Sequence, residues 1–376
     1  MLPYGRQSIT EEDVAAVTEV LRGDWLTTGP SVERFETDIA AVAGLSGRAV
    51  SVTSGTAALH VAYAAAGVGP GDEVVTTPLT FLATATCASV LGAKVRFADV
   101  SADTGNLDPE AAAAAVTERT KVVTGVDYAG HPIDAAGLTH AAHEVGAIVL
   151  EDAAHSVGGS LDGTPVGSLA DVTTFSFFPT KNLTTAEGGA VVSRDPALLE
   201  RARTFKGIGM VREQERLRRP DEGAWWYEMP ELGLNYRLPD VLAALGSSQL
   251  KRLGEFVARR QEITDRYNAA FEGIDVLRRP AHRSGAVPAW HLYPLRILDG
   301  RRRELFDHLR GHGIGVQVNY IPVYWQPYFE DLGYQRGMCP VAEEYYSQEI
   351  SLPLFPDLTD SDVDRVSDLV RGFVGA

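Results

Sequence analysis

The chain has 376 residues, 50 acidic against 34 basic, for a formal net charge of −16; no dense Lys/Arg run offsets this, which excludes nucleic acid as a partner but not a local pocket for a small phosphorylated ligand. Its two cysteines, Cys87 and Cys339, exclude a disulfide framework and any Cys-x-x-Cys metal pair, and suit reduced thiols in the cytoplasm. Hydrophobic content of 45% and charged content of 22% are those of a globular protein, and the length allows two domains at roughly 100–200 residues each.

The opening MLPYGRQSITEEDV lacks the basic start and apolar stretch of a secretory signal. No run approaches the ~20 apolar residues of a membrane span, so neither secretion nor membrane association is expected. Residues 10–22 read as a helix. Thr10 can cap it, the early acids suit its positive end, Val14, Val17, Val20 and Leu21 share one face, and Gly23 ends it.

From residue 48 to 195, short β-rich runs alternate with helical patterns. The runs are 49–54, 72–78, 94–100, 121–130, 147–152, 172–178 and 189–193, with helix-like stretches at 56–66, 81–91, 108–117 and 136–145. That rhythm predicts βαβ units in a largely parallel sheet with helices on both faces, and the near-continuous apolar strands fit burial on both sides. A long helical pattern then runs from 239 to about 272, with Leu242, Leu245, Leu250 and Leu253 among its apolar positions. Residues 273–376 mix short strands, helices and proline-rich turns, the texture of a smaller α+β lobe.

Ligands of open parallel sheets sit at the carboxyl ends of the strands. Ser54-Gly55-Thr56 follows one strand and opens a helix, an arrangement that suits an anion or a plain helix cap. Asp152 ends another strand and is an ordinary strand-end carboxylate, a metal ligand or a site acid. His155 stands close by in sequence, but no set of three or four metal ligands assembles, so no metal is expected. Ser176 lies near the end of a third strand, and Lys181 follows five residues later. Lysines are usually solvated, yet Lys181 sits among apolar and small residues, between Pro179 and Gly188-Gly189. Desolvation lowers a lysine's pKa and frees the amine for Schiff-base chemistry.

Taken together, SGTAALH (54–60), TPLTFLATA (77–85), EDAAHSVG (151–158), SFFPTKNLTTAEGG (176–189) and LGLNYRLPD (232–240) resemble the DegT/DnrJ/EryC1/StrS sugar aminotransferases, along almost the whole chain. The resemblance implies a fold-type I pyridoxal phosphate enzyme with a mainly parallel seven-stranded sheet. It implies an N-terminal segment and large domain over 1–245 and a small α+β domain over 246–376. Lys181 would link to the cofactor aldehyde, and Asp152 would hold the pyridine nitrogen. Gly55, Thr56 and Ser176 would bind the phosphate. Phe81 would stack on the ring, and His155 would stand beside it. Asn235 would reach the phosphate of a neighbouring subunit, implying a homodimer with shared sites. L-glutamate would be the donor and a nucleotide-linked keto sugar the acceptor, in a ping-pong sequence. The opening LPYGRQSI, GDWLTTGP (23–30) and WYEMPELGLNYR (226–237) look closest to the C4 aminotransferases that act on a UDP-linked 4-keto-6-deoxy-N-acetylhexose. Tyr4, Arg6, Trp25, Thr27, His291, Tyr293 and Tyr320 are then candidate substrate contacts, each aromatic being equally at home in core or interface packing. Relatives often carry His at position 178, Gly at 186 and His at 208, where this chain has Phe178, Ala186 and Ile208.

A nicotinamide dehydrogenase needs Gly-x-Gly-x-x-Gly after its first strand, and GIGMVR (207–212) lacks the third glycine and follows no strand. Relatives that dehydrate sugars replace the lysine with His, so Lys181 argues against that chemistry. Amination of another keto sugar, a cyclitol or a carbocyclic ketone stays open, and an inactive fold relative would have lost Lys181 or Asp152.

Overall fold

Seven strands build the central sheet: β1 (Val50–Val52), β2 (Glu73–Thr76), β3 (Lys94–Phe97), β4 (Thr120–Val126), β5 (Ile148–Asp152), β6 (Val172–Ser176) and β7 (Gly189–Ser193). They come from a computed structural model that describes residues 1–376; six fall within the β-rich runs, and β4 starts one residue ahead of its run. Their order across the sheet is β1-β7-β6-β5-β4-β2-β3. Only β7 runs against its neighbours, so β1, β4, β5 and β6 all end at the same edge. Alternation along each strand feeds two faces. Val74, Val122 and Leu150 enter one apolar cluster, while Val75, Val123 and Val149 enter another. Helices Gly55–Ala65, Ala83–Val90, Pro109–Ala115 and Ala135–His143 occupy the four expected stretches.

The smaller lobe holds an antiparallel sheet of Leu277–Arg278, Tyr293–Ile297 and Glu349–Leu352. Helices Leu253–Ala270, Arg302–Gly311 and Asp360–Val374 complete it. One cluster of 55 buried residues runs from Val50 in the large sheet to Val370 in the last helix, so the lobes share a core.

The single long helix expected over 239–272 is two helices, Asp240–Leu250 and Leu253–Ala270. Apolar spacing continues across the join, but the chain turns at Lys251 and Arg252, and Arg252 instead ties Asp13 at 2.7 Å. A boundary at residue 245 falls inside the first of these helices, which packs as one piece on the two N-terminal helices. The helix Glu11–Arg22 forms as expected, with the Asp13 carboxylate accepting from Thr10 N–H at 3.0 Å. Its expected apolar face stays on the surface of the single chain, where Val14 is 50% and Leu21 58% exposed. Ahead of it, Leu2 pairs with the Gly313–Gly315 backbone and Tyr4 O accepts from Leu354 N–H, which carries the N-terminus over the smaller lobe to the sheet edge.

Candidate active site

At the shared edge of β1, β5 and β6 lies a cavity of about 670 Å³. Ser54 caps the helix Gly55–Ala65, its Oγ accepting from Ala57 N–H at 3.0 Å, which leaves the Gly55 and Thr56 N–H groups at the positive end of the helix. Ser176, at the end of β6, closes on that turn. A Cβ at position 55 would stand 2.7 Å from both Cβ and Oγ of Ser176, so only glycine fits. Beyond β6 the chain makes a hydrogen-bonded turn, with Lys181 N–H donating to Phe178 O at 2.9 Å, and returns through Gly188 to β7. Gly189 is required there, because a Cβ would lie 2.4 Å from Ser54 O. Lys181 and Asp152 thus face one cavity from adjacent strand ends.

Asp152 is 4% exposed. Its carboxylate accepts from Thr84 Oγ1 at 2.7 Å and from Ala154 N–H at 3.2 Å. Burial raises its pKa, while those donors and Lys181 oppose the rise. Burial also brings the Lys181 amine down to about 8. Asp152 acts against that fall and Arg260 adds to it. At neutral pH an appreciable share of the lysine is therefore an uncharged nucleophile. The His155 and His291 rings lie 4.5 Å apart between centroids. Burial, then Lys181, holds both well below the usual imidazole range, so both are neutral. Nδ1 of each is buried without a partner, and His155 Nε2 lies 3.2 Å from the Tyr320 hydroxyl.

Of the residues singled out in the sequence, the cavity gathers Tyr4, Gly55, Thr56, Phe81, Asp152, His155, Ser176, Lys181, His291 and Tyr320. Phe81, 57% exposed, meets the Tyr320 ring edge-on with centroids 6.3 Å apart. Asn235 is exposed and does not line this chain's cavity. Tyr293 is a correction: it is fully buried, donates to Asn268 Oδ1 at 2.9 Å and packs on Tyr267, so it belongs to the core of the smaller lobe. Arg6, Trp25 and Thr27 lie outside the cavity. Arg6 is on the surface, Trp25 lines a groove beside the helix Asp240–Leu250, and Thr27 pairs with Pro239.

Thr84 and Asn319 were not foreseen. Thr84 lies in TPLTFLATA, where the hydroxyl spacing of Thr80 and Thr84 was the available signal, and the two oxygens are 2.9 Å apart. Asn319 links Tyr4 Oη to Ser351 Oγ under the cavity floor and carries no sequence mark. Two of the three departures fall on left-handed backbone, Ala186 at φ 67° and Ile208 at φ 72°. Glycine suits such positions, and a β-branched side chain there is strained.

These residues fit pyridoxal phosphate. The Gly55–Ser176 cradle at a helix start fits a phosphate, the buried Asp152 carboxylate a protonated ring nitrogen, and the Lys181 amine an aldehyde. His155, whose ring lines the same cavity, has a buried Nδ1 without a partner.

A family model described as the DegT/DnrJ/EryC1/StrS aminotransferase family matches residues 7–371. The spore coat polysaccharide biosynthesis protein SpsC of Bacillus subtilis is 41% identical over 99% of this chain and 97% of its own. The UDP-4-amino-4,6-dideoxy-N-acetyl-beta-L-altrosamine transaminase of Campylobacter jejuni is 34% identical over 98% and 96%. A Streptococcus pneumoniae structure in the PMP form superposes with a TM-score of 0.93 at 29% identity, covering 100% of this chain and 99% of that one. The chain belongs to the DegT/DnrJ/EryC1/StrS aminotransferase family and is a pyridoxal phosphate-dependent aminotransferase.

Proposed function

We propose that the protein moves an amino group from L-glutamate to the keto carbon of a nucleotide-linked 4-keto-6-deoxy sugar, giving a product of the UDP-4-amino-4,6-dideoxy-N-acetyl-altrosamine type. The observation that carries the transfer chemistry is the Lys181 amine, partly uncharged near neutrality, in one cavity with Asp152 and the Gly55–Ser176 cradle. The sugar class draws its support from the Campylobacter jejuni relative. The higher identity to SpsC favours, as a second reading, another keto sugar destined for a polysaccharide.

Bound pyridoxal phosphate supplies the electron sink that lets a bond at the donor's α-carbon break. The remaining work falls to side chains of this protein. The Gly55 and Thr56 N–H groups and the Ser176 hydroxyl anchor the phosphate. Asp152, fixed by Thr84 and Ala154, would keep a proton on the ring nitrogen. Lys181 Nζ would take the proton from the donor α-carbon and deliver it to the carbon that was the cofactor's aldehyde, and the second half-reaction would run the same transfer in reverse. His155 and His291, held well below the usual imidazole range by burial, are weak bases and compete poorly for that proton.

A nucleotide diphosphate needs cations, and Lys181 is the single Lys or Arg among the residues lining the cavity. We assign the missing charge to a second copy of the chain, in a homodimer whose sites are shared and in which Asn235 reaches across. The apolar surface left by the segment 225–234 supports this, with Trp225 74% and Leu232 81% exposed. No helix is long and apolar enough to cross a membrane. Cys87 and Cys339 are free and buried, and on that ground we place the protein in the cytoplasm.

The test is incubation of pure protein with glutamate and a panel of nucleotide-linked keto sugars, cyclitols and carbocyclic ketones, following amine formation by mass. The resting enzyme should absorb near the visible edge and lose that band with borohydride. Lys181→Ala should reduce turnover to background, and retained activity in that variant would overturn the assignment.

A further inference from the structure

The helix Leu253–Ala270 runs behind the cavity wall, and one of its side chains reaches that wall from the rear. Arg260 is fully buried. Burial lowers its pKa, and no carboxylate stands near enough to oppose that; Tyr4 alone does. All its hydrogen bonds run to backbone carbonyls. Nη1 donates to Leu354 O at 2.8 Å, His291 O at 3.3 Å and Trp290 O at 3.4 Å, and Nη2 to Thr180 O at 3.4 Å and Lys181 O at 3.5 Å. Nε has no partner.

An unneutralised buried cation is unfavourable, and a mere packing element would be served better by an apolar side chain of equal volume. The guanidinium does what no apolar group can: its planar fork gathers three separate segments at one point. One is the turn that carries Lys181. The second carries His291. The third contains Leu354, whose N–H donates to the Tyr4 carbonyl. We propose that Arg260 is a positioning residue for Lys181, locking the lysine's backbone turn to the two segments that set His291 and Tyr4 in the cavity. Its fixed charge also bears on the amine, alongside burial and Asp152, with neutral His155 and His291 as the other titratable neighbours.

The proposal rests on the assignment of Lys181. Chemical labelling of the full-length, cofactor-free chain reads that lysine without turnover, and kcat and KM are those of the glutamate half-reaction alone, so a wrong sugar assignment leaves the test intact. Trace acetic anhydride from pH 6 to 10, with Lys181 acetylation read by peptide mass, should give a midpoint near 8 in the wild type. Arg260→Met removes charge and fork together. Labelling at pH 7 should fall roughly three- to tenfold, the scale of up to one pKa unit. Arg260→Lys keeps the charge and loses the fork. Its labelling midpoint should stay near the wild type, while kcat falls at least tenfold with KM for glutamate little changed. Should Arg260→Met fail to fold, Arg260→Lys decides by that split of kcat from KM. Unchanged labelling in folded Arg260→Met, or wild-type kcat in Arg260→Lys, would overturn the proposal.

Discussion

Burial pushes Lys181 and Asp152 the same way, against charge on either, while their mutual attraction pushes back toward the ion pair. The balance leaves a lysine near 8 beside a carboxylate that Thr84 and Ala154 keep supplied with donors. Neither group can be read alone, because each sets part of the other's charge. The phosphate end depends on shape instead. Gly55→Ala would press a methyl 2.7 Å from the Ser176 side chain, well inside contact distance. Overpacking of this kind costs about 1–3 kcal/mol, and it falls on the turn that presents the phosphate donors. Urea unfolding of the variant should show that loss, and equilibrium dialysis should show cofactor affinity down at least tenfold. The double variant Gly55→Ala/Ser176→Gly removes the colliding atoms. It should recover stability but not affinity, since the Ser176 hydroxyl is gone as well. Full affinity in Gly55→Ala would show that the cradle is not where the phosphate sits.

The strand β5 ends in two consecutive carboxyl groups, and strand alternation sends them to opposite faces. Asp152 faces the cavity. Glu151 is buried on the other side, where Gly167 N–H and Thr173 Oγ1 donate to Oε2 at 3.0 and 2.8 Å, and Oε1 has no partner. Burial lifts Glu151 to about 7 and Asp127 well above the usual range, each also feeling the other or Asp152. A folded-state pKa above the unfolded value of 4.5 means stability that is complete below 4.5 and lost as pH climbs toward 7. Glu151→Gln keeps the acceptor and replaces the protonated acid with a neutral amide. Chemical denaturation should find the variant losing less stability than the wild type between pH 4.5 and 7, by about 3 kcal/mol at most. Parallel curves would mean that Glu151 is already ionised in the folded protein. The strands themselves were legible because burial on both faces writes a near-continuous apolar run. Asp152 and Lys181 were legible because strand ends are where chemistry collects. The join at Lys251–Arg252 was not, since leucine spacing continues through it and only tertiary contact with Asp13 turns the chain. Arg260 went unread. Its spacing from Phe256, Ile263, Thr264 and Tyr267 puts it on the buried helix face, where an arginine is not expected.

A single chain leaves two deficits that one partner would remove. The cavity has no cation besides Lys181 for a diphosphate, and the surface carries Trp225, Tyr227, Met229, Leu232 and Leu234, each at least 43% exposed. A net charge of −16 makes random association unfavourable, so the proposed contact would have to be specific and apolar. In a twofold dimer each residue of the patch is buried twice, so a single substitution acts at two places. Leu232→Asp forfeits about 2 kcal/mol of burial per copy and adds a carboxylate to desolvate. Two copies together weaken the dimer by roughly a thousandfold or more. Sedimentation at micromolar concentration should then find the 40.5 kDa chain alone, where the wild type runs at twice that mass. Because the missing cation would come from the partner, kcat/KM for the nucleotide sugar should fall with the dimer, and it should recover partly as protein concentration rises. A wild type that sediments as one chain at full activity would end the dimer proposal, and the diphosphate would then need a cation from within the same chain.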